Sequence, residues 1–273
     1  MTHPTQQTKP IAFLPVFTGT NCDYDTTKAF VRAGAEVTTS VFRNLTEADI
    51  FESIDEMSRK ISECQILALS GGFSSGDEPD GSGKFIANVL NNSKISEQIH
   101  ALLDRGGLII GICNGFQALI KSGLLPYGRL GMVTEESPTL FRNDINRHIS
   151  LIANTRVSSV NSPWLAGFEI GEIHSVAMSH GEGKLVISSE LAEKLFEKHQ
   201  IAFQYVDLDS NITMEEPFNP NGSMYAIEGM ISENGQILGK MGHSERYEEN
   251  LFKNIYGNKQ QKIFENAVNY FQK

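Results

Sequence analysis

The chain has 273 residues, a formal net charge of −10, and hydrophobic and charged fractions of 40% and 21%. This length suits one large domain or two small ones, and the acidic balance argues against a general nucleic-acid-binding surface. Apolar runs stop far short of a membrane span, so we expect no membrane partner. The three cysteines are too few and too scattered for a disulfide framework or a zinc cluster, and we therefore expect a soluble, cytoplasmic protein.

The first ten residues of the chain differ in character from the rest. Residues 1–10 are polar and lack the apolar segment of a signal peptide, so we expect a disordered leader or a linker. Residues 11–273 are then expected to form one domain, because no linker-like stretch separates the two halves of the chain.

Apolar and amphipathic segments alternate along the first part of the chain. The pattern predicts strands over residues 11–16, 35–42 and 65–69, and helices over 24–34 and from Thr46 to about 62. An alternation of this kind predicts a parallel, doubly wound sheet.

A long glycine-rich loop, residues 70–84, follows the third predicted strand. It ends like a phosphate-binding loop, but Glu78 occupies the place of the first glycine and Phe85 follows the lysine, so we exclude a nucleotide site. The loop follows the carboxyl end of a strand, where open α/β sheets bind ligands. Its segment 71–73 can supply a backbone N–H to an oxyanion, although a plain surface loop is the alternative.

The most informative stretch is a glycine-flanked cysteine between a strand and a helix. Helices are expected over 84–91 and 93–105, then a buried strand over 108–112 and a further helix over 114–121. Gly111 and Gly115 flank Cys113, which is the layout of a nucleophile elbow with cysteine in the place of serine. The helix dipole there favours a thiolate. The alternative is a small buried core residue, the common fate of a free cysteine.

The second half of the chain is less regular. It predicts strands over 148–157, 168–178, 201–208, 225–231 and 236–241, the last two as a hairpin, and helices over 189–199, 245–255 and 260–271. Residues 134–148 are expected to form a loop, and residues 179–183 and 218–223 to form turns. These segments would add a small antiparallel extension to the parallel sheet.

A cysteine nucleophile needs a base, and two histidines are the leading candidates. His180 and His243 both lie in glycine-flanked loops, and each is followed two residues later by a glutamate. In extended backbone that spacing places both side chains on one face. His243 is modestly favoured because it follows an apolar strand, but the residues alone leave both histidines open.

Two motifs carry a resemblance to a known family. Gly-Ile-Cys-Asn-Gly-Phe-Gln at 111–117 and Gly-His-Ser-Glu-Arg at 242–246 resemble the class I glutamine amidotransferases with a Cys-His-Glu triad. Further stretches resemble the glutaminase subunit or C-terminal glutaminase domain of phosphoribosylformylglycinamidine synthases: 18–23, 71–77, 142–143, 179–183 and 219–223. The resemblance spans about residues 11–250. It implies a flavodoxin-like α/β fold, with a central mostly parallel sheet, helices on both faces and a small antiparallel extension.

The resemblance also implies roles for individual residues. Cys113 would attack the side-chain amide of glutamine, His243 would be the general base, and Glu245 would orient it. The oxyanion is expected between the backbone N–H groups of Asn114 and of the Gly72–Phe73 loop. The residues expected to bind glutamine are Gln117, Ser179, His180 and Gly181, and the last three are alternatively expected to contact a synthetase.

The family resemblance implies a partner as well. Ammonia would pass to a formylglycinamidine synthetase domain or subunit, which uses ATP and Mg to convert formylglycinamide ribonucleotide to formylglycinamidine ribonucleotide in purine synthesis. We expect no cofactor and no metal in this chain. Residues 77–84 resemble the fused enzymes more than the separate subunits, so the chain is also expected to be a piece of a longer protein.

Two other readings compete with this one. The first is a different Cys-His hydrolase on the same fold, such as a peptidase or a gamma-glutamyl hydrolase. The second is a non-catalytic, glutaminase-like binding module. One departure from the family also stands out: Ser244 replaces the proline of the usual His-Pro-Glu-Arg, and we expect it to loosen the loop slightly.

Overall fold

The computed structural model describes residues 9–74 and 81–272. Most of the predicted leader, residues 1–8, and the middle of the glycine-rich loop, residues 75–80, lie outside the described residues. None of the helices in the described ranges combines the length and the apolar character that a membrane span requires.

Nine strands of the described chain form one sheet, in the order β2-β1-β3-β4-β11-β10-β9-β6-β7, and β5 pairs with β8 in a second, two-stranded sheet. The strands are β1 Ile11–Val16, β2 Glu36–Val41, β3 Ile66–Leu69, β4 Leu108–Ile112, β5 Thr139–Arg142, β6 Ile149–Val157, β7 Ile173–His180, β8 Glu182–Val186, β9 Ile201–Tyr205, β10 Ile227–Ile231 and β11 Ile237–Lys240. The segment from β2 to β11 is parallel, and the segment from β11 to β7 is antiparallel.

The helices connect and cover the sheet. They are α1 Asp23–Ala33, α2 Glu47–Glu63, α3 Lys84–Leu90, α4 Ser93–Asp104, α5 Asn114–Ser122, the short α6 Leu124–Tyr127, α7 Ser189–Glu197 and α8 Ile263–Tyr270. Thr46 and Asp49 form a capping box at the start of α2, which satisfies orphan backbone N–H groups there. Strands β3 and β4 are buried along their whole length, which explains their continuous apolar sequence.

The predicted α/β architecture is confirmed, including the parallel segment, the antiparallel extension and the β10–β11 hairpin. The second half also contains differences. Strand β5 lies inside the predicted loop 134–148, and β7 begins at Ile173 rather than at residue 168. The predicted turn 179–183 is mostly strand, because β7 and β8 are separated by Gly181 alone.

The predicted helix over residues 245–255 is wrong. The structure has one 3₁₀ turn, Ser244–Arg246, followed by irregular turns. Asn250 and Phe252 have positive φ values of 72° and 51°, which a right-handed helix cannot accommodate. The predicted helix over 260–271 is present as α8.

Candidate active site

The turn between β4 and α5 holds Cys113 in an unusual backbone conformation. Its φ and ψ are 54° and −108°, in a region that L-residues rarely adopt. A Cβ added to Gly115 would lie 2.0 Å from the carbonyl oxygen of Leu69 on β3. A Cβ on Gly111 would lie 2.5 Å from the Gly115 carbonyl oxygen. The two glycines therefore let α5 pack directly against the sheet while the turn directs Cys113 into the site.

His243 and Glu245 form a buried pair just beyond β11. The Nδ1 atom of His243 and Oε1 of Glu245 are 2.6 Å apart, and both side chains are almost fully buried. The extended backbone expected for this pair is wrong, because Ser244–Arg246 form a 3₁₀ turn. The turn brings the two side chains together all the same.

The imidazole of His243 lies beside Cys113. An ideal Cβ on Gly71 would lie 3.0 Å from Cε1 of His243 and 3.3 Å from Cβ of Cys113, so both side chains pack against the same glycine. Burial lowers the pKa of His243, but the Glu245 charge and the side chains of Cys113 and Cys22 raise it, and the net pKa is well above its usual value. The site therefore favours an imidazolium next to a thiol, which stabilises a thiolate.

The candidate oxyanion donors are Asn114, Gly72 and Phe73. Asn114 is the first residue of α5, and its side-chain amide donates to Ser74 Oγ at 2.5 Å. The Phe73 N–H donates to the Gly19 carbonyl at 2.9 Å, so the expectation that Phe73 supplies a donor needs correction. Gly72, with φ 138°, lines the same cavity as Cys113, so its N–H is the remaining candidate donor from this loop.

Gln117 is buried and already has a hydrogen-bond partner. Its Nε2 donates to the Glu182 carbonyl oxygen at 2.6 Å, which ties α5 to the start of β8. Gln117 therefore shapes the cavity wall that Ser179, His180 and Gly181 continue. The Ser179 carbonyl oxygen lies 3.7 Å from Cys113 Sγ.

His180 is held in a rigid, neutral state. Its Nδ1 is 3.2 Å from Asn143 Oδ1, and the Asn143 amide donates to the His180 carbonyl at 2.9 Å. Burial lowers the pKa of His180 to about 3, with smaller contributions from the charges of His243 and His148. Glu182 accepts instead from the backbone N–H of Ser82 at 2.9 Å, and among the described residues His180 forms its side-chain hydrogen bond with Asn143 and not with an acid.

The turn-rich stretch at 219–223 supports β8 from behind. The Asn221 amide donates to the Gly183 carbonyl at 2.9 Å, and the Ser223 hydroxyl accepts from the Leu185 N–H at 3.0 Å. This stretch therefore acts on the site through the strand that follows His180.

Sequence reasoning missed Cys22 and Arg246. Cys22 is buried, and its Sγ lies 3.9 Å from His243 Nδ1 and 3.2 Å from Arg246 Nη2. A signal was available, because Cys22 follows the first strand, and open α/β sheets bind ligands beyond the carboxyl ends of their strands. Arg246 directly follows the predicted Glu245.

Cys22, His243 and Glu245 are the candidate metal ligands of the described chain. Ligand atoms of Cys22, His243 and Glu245 lie within 4.8 Å of one another. However, the His243 and Glu245 atoms already pair with each other, and the Arg246 guanidinium beside the Cys22 sulfur would repel a cation. The arrangement suits proton transfer better than metal binding.

Several of these side chains line one cavity. Its lining residues are mostly polar: Asn21, Cys22, Gly72, Phe73, Ser82, Cys113, Gln117, Ser179, His180, Gly181, Glu182, His243 and Arg246. The cavity therefore combines the Cys113 thiol, the imidazole of the His243–Glu245 pair and backbone donors.

The sequence model of a family described as CobB/CobQ-like glutamine amidotransferase domains matches residues 9–271. The chain is 36% identical over 230 residues to phosphoribosylformylglycinamidine synthase subunit PurQ of Dehalococcoides mccartyi, covering 84% of this chain and 82% of the relative. It is 32% identical over 235 residues to the same subunit of Koribacter versatilis, covering 86% of this chain and 88% of the relative.

A solved structure agrees with these sequence relatives. A chain from the structure of PurLQS from Thermotoga maritima superposes with a TM-score of 0.69 at 28% identity, covering 96% of this chain and 99% of that chain. The chain described here therefore belongs to the CobB/CobQ-like glutamine amidotransferases and, among them, to the PurQ subunits of phosphoribosylformylglycinamidine synthase.

Proposed function

We propose that Cys113, His243 and Glu245 are the catalytic triad that releases ammonia from L-glutamine. The observation that carries this proposal is the 2.6 Å pairing of His243 with Glu245 beside a cysteine at a strained strand–helix turn. A paired carboxylate orients the base, and the base activates the nucleophile.

The reaction then proceeds in two halves. Cys113 Sγ, whose proton has passed to His243, attacks the side-chain amide carbon of glutamine. The N–H groups of Gly72 and Asn114 stabilise the tetrahedral oxyanion. His243 returns the proton to the departing nitrogen, which leaves as ammonia, and a glutamyl thioester remains. His243 next deprotonates a water molecule, whose attack on the thioester releases glutamate and restores the thiol.

The remaining polar groups of the cavity hold the substrate. Gln117 and the segment from Ser179 to Gly181 line the same cavity as Gly72 and are the proposed glutamine-binding residues. Because the Gln117 amide nitrogen is already bound to Glu182, its contribution is to fix the cavity wall as well as to contact the ligand.

The ammonia supplies a second active site. The Thermotoga maritima relative comes from a structure of PurLQS, which supports a synthetase partner for this chain too. That partner, with ATP and Mg, would convert formylglycinamide ribonucleotide to formylglycinamidine ribonucleotide in purine synthesis. We also propose a cytoplasmic location, which the three free thiols Cys22, Cys64 and Cys113 support.

The decisive assay measures ammonia release from L-glutamine by the chain alone and with a synthetase partner. We expect weak activity alone, more with the partner, and none in Cys113→Ala. Cys64→Ala is the matched control, since that thiol lies in the core away from the cavity and should leave turnover unchanged. Ammonia release by Cys113→Ala, or hydrolysis of peptides with none of glutamine, would overturn the proposal.

Active-site labelling gives a second test. A glutamine-like diazo-ketone should alkylate Cys113, as peptide mapping would show. Burial raises the pKa of Cys64 to about 12, so this thiol should stay unmodified. Cys22 borders the same cavity, so the experiment is repeated with Cys22→Ala, in which labelling of Cys113 should persist.

A further inference from the structure

A buried ion pair lies directly beneath the turn that carries His243. Glu228 on β10 and Lys240 at the end of β11 are both fully buried, and Lys240 Nζ lies 3.3 Å from Glu228 Oε1. Within the described chain, Glu228 Oε2 has no hydrogen-bond partner. Taking two charges out of water is costly, and apolar side chains of similar size often serve stability as well or better. Stability alone therefore does not explain this pair.

Both members of the pair bind backbone groups of the same residue, Gly242. Glu228 Oε1 accepts from the Gly242 N–H at 2.6 Å, and Lys240 Nζ donates to the Gly242 carbonyl at 2.8 Å. A Cβ on Gly242 would lie 2.8 Å from Glu228 Oε1 and 2.9 Å from Lys240 Nζ, so a side chain there would displace the two charged groups. The charges thus hold the backbone immediately before His243.

Lys240 also connects to the nucleophile. Its carbonyl accepts from the Cys113 N–H at 2.9 Å, while its ammonium group holds Gly242. One residue therefore contacts the backbone at Cys113 and the backbone next to His243. Beyond Gly242, the His243 N–H donates to the Ala177 carbonyl at 2.8 Å, so the turn is fixed on both sides of the base.

We propose that Glu228 and Lys240 are positioning residues, which set the distance between the Cys113 thiol and the His243 imidazole by clamping Gly242. Neither touches the substrate cavity, so both act through the base. The inference rests on the proposed role of His243, and it explains why a buried charge pair occupies this place in the core.

The first experiment replaces the pair in the full chain, measured with its synthetase partner. Glu228→Leu/Lys240→Met removes both charges and both contacts to Gly242 together, so neither charge is left buried alone. We expect kcat for glutamine hydrolysis to fall about 30-fold with KM changed less than about 2-fold, because a misplaced base slows the chemistry without altering the binding wall. The alkylation of Cys113 by iodoacetamide should slow in parallel, and its dependence on pH should shift, since the thiol loses its aligned partner.

Two comparisons separate positioning from a general loss of stability. Glu228→Gln alone keeps an acceptor for the Gly242 N–H and should stay within about 3-fold of the wild-type kcat. Ile231→Val, on the same strand and equally buried, should weaken the core without changing kcat or the alkylation profile. If Glu228→Leu/Lys240→Met does not fold, Glu228→Gln/Lys240→Met keeps an acceptor for the Gly242 N–H and tests the loss of the Lys240 contact.

The outcomes distinguish this inference from the proposed triad. A folded double variant with wild-type kcat and alkylation would overturn the clamp, while the inactivity of Cys113→Ala would leave the triad standing. A single Glu228→Gln variant as slow as the double one would also overturn it, because charge and not the clamp would then set the rate. An active Cys113→Ala would overturn the triad itself.

Discussion

The nucleophile elbow and the turn that carries His243 lie at the ends of neighbouring strands but are held in different ways. Strands β4 and β11 pair in parallel, with Ile112 opposite Lys240. The elbow is defined by backbone sterics, since Gly111 and Gly115 leave no space for a side chain. The turn depends on hydrogen bonds from distant parts of the chain, because its own residues form only one 3₁₀ turn.

The elbow and the turn should respond differently to substitutions. Steric packing without free space fails abruptly, because any added atom must separate a helix from a sheet. A hydrogen-bonded turn fails gradually, because each contact contributes modestly and the others remain. The elbow should therefore show large, all-or-none effects on folding, and the turn should show graded effects on rate.

The largest effect is expected from Gly115→Ala. The new Cβ would lie 2.0 Å from the Leu69 carbonyl oxygen, and backbone on both sides cannot yield without moving α5 away from β3. We expect a loss of more than about 3 kcal/mol in the free energy of unfolding, measured by urea denaturation. Gly131→Ala is the matched control: its φ is 74° but nothing lies within 4 Å, so only backbone strain of about 1 kcal/mol should appear. Equal costs in both variants would contradict a steric elbow.

The next effect concerns the turn. Glu245→Gln keeps the shape of the side chain but removes the charge that raises the pKa of His243. We expect kcat/KM for glutamine to fall about 100-fold or more, within the range typical for general acid–base groups, while the fold persists. Steady-state ammonia release measures the rate, and near-ultraviolet circular dichroism checks the packing. Wild-type activity in this variant would remove Glu245 from the triad.

The two buried histidines of the site should respond to pH with opposite signs. The raised pKa of His243 means that its contribution to stability is complete below its unfolded pKa of about 6.5 and is lost as pH rises through the higher folded value. Burial lowers the pKa of His180 to about 3, so its contribution is present above about pH 6.5 and is lost as pH falls towards 3.

Urea unfolding of His180→Gln and Glu245→Gln from about pH 4 to about pH 9 separates the two contributions. We expect His180→Gln to flatten the acid side of the stability profile and Glu245→Gln to flatten the side above about pH 6.5. Profiles that stay parallel to the wild type on both sides would show that neither imidazole has the protonation state assigned to it.

The contrast between the two regions also explains what the sequence could predict. The elbow is a local pattern of an apolar strand, two glycines and a helix, and its geometry at Cys113 is confirmed. The neighbouring positions of His243 and Glu245 were predicted from their spacing, but their backbone was expected to be extended and forms a 3₁₀ turn instead. The contacts that decide this turn come from strands β7 and β10 and from Gln261, before α8, and no local pattern encodes them.

Two other misses have the same origin. Cys22 follows the first strand, which makes it a candidate, but only the strand order, with β1 beside β3, places it at this site. The expected helix over 245–255 fails because Asn250 and Phe252 adopt positive φ values that propensity does not anticipate. The role of a residue that depends on the strand order cannot be predicted from a single sequence. The role of a residue that constrains its own backbone, such as a glycine of the elbow, can be predicted.

The smallest effect is expected at Ser244, where the family usually has proline. The buried Ser244 hydroxyl donates to Gln261 Oε1 at 2.5 Å, so a hydrogen bond from the segment before α8 holds the loop that proline would have stiffened. Ser244→Ala leaves that buried oxygen without its donor and should cost about 1 kcal/mol of stability and less than about 3-fold in kcat.

The double variant Ser244→Ala/Gln261→Leu removes both partners of this bond and should recover most of the lost stability, because no buried acceptor is then left unpaired. Denaturation midpoints of the four proteins of this cycle give the coupling between the two side chains. Strictly additive costs would show that the bond does not hold the loop. If the double variant regains stability but not kcat, the Ser244 hydroxyl aligns Glu245 through the turn. The graded effect on rate that we expect for the other hydrogen bonds of this turn would then hold for this one as well.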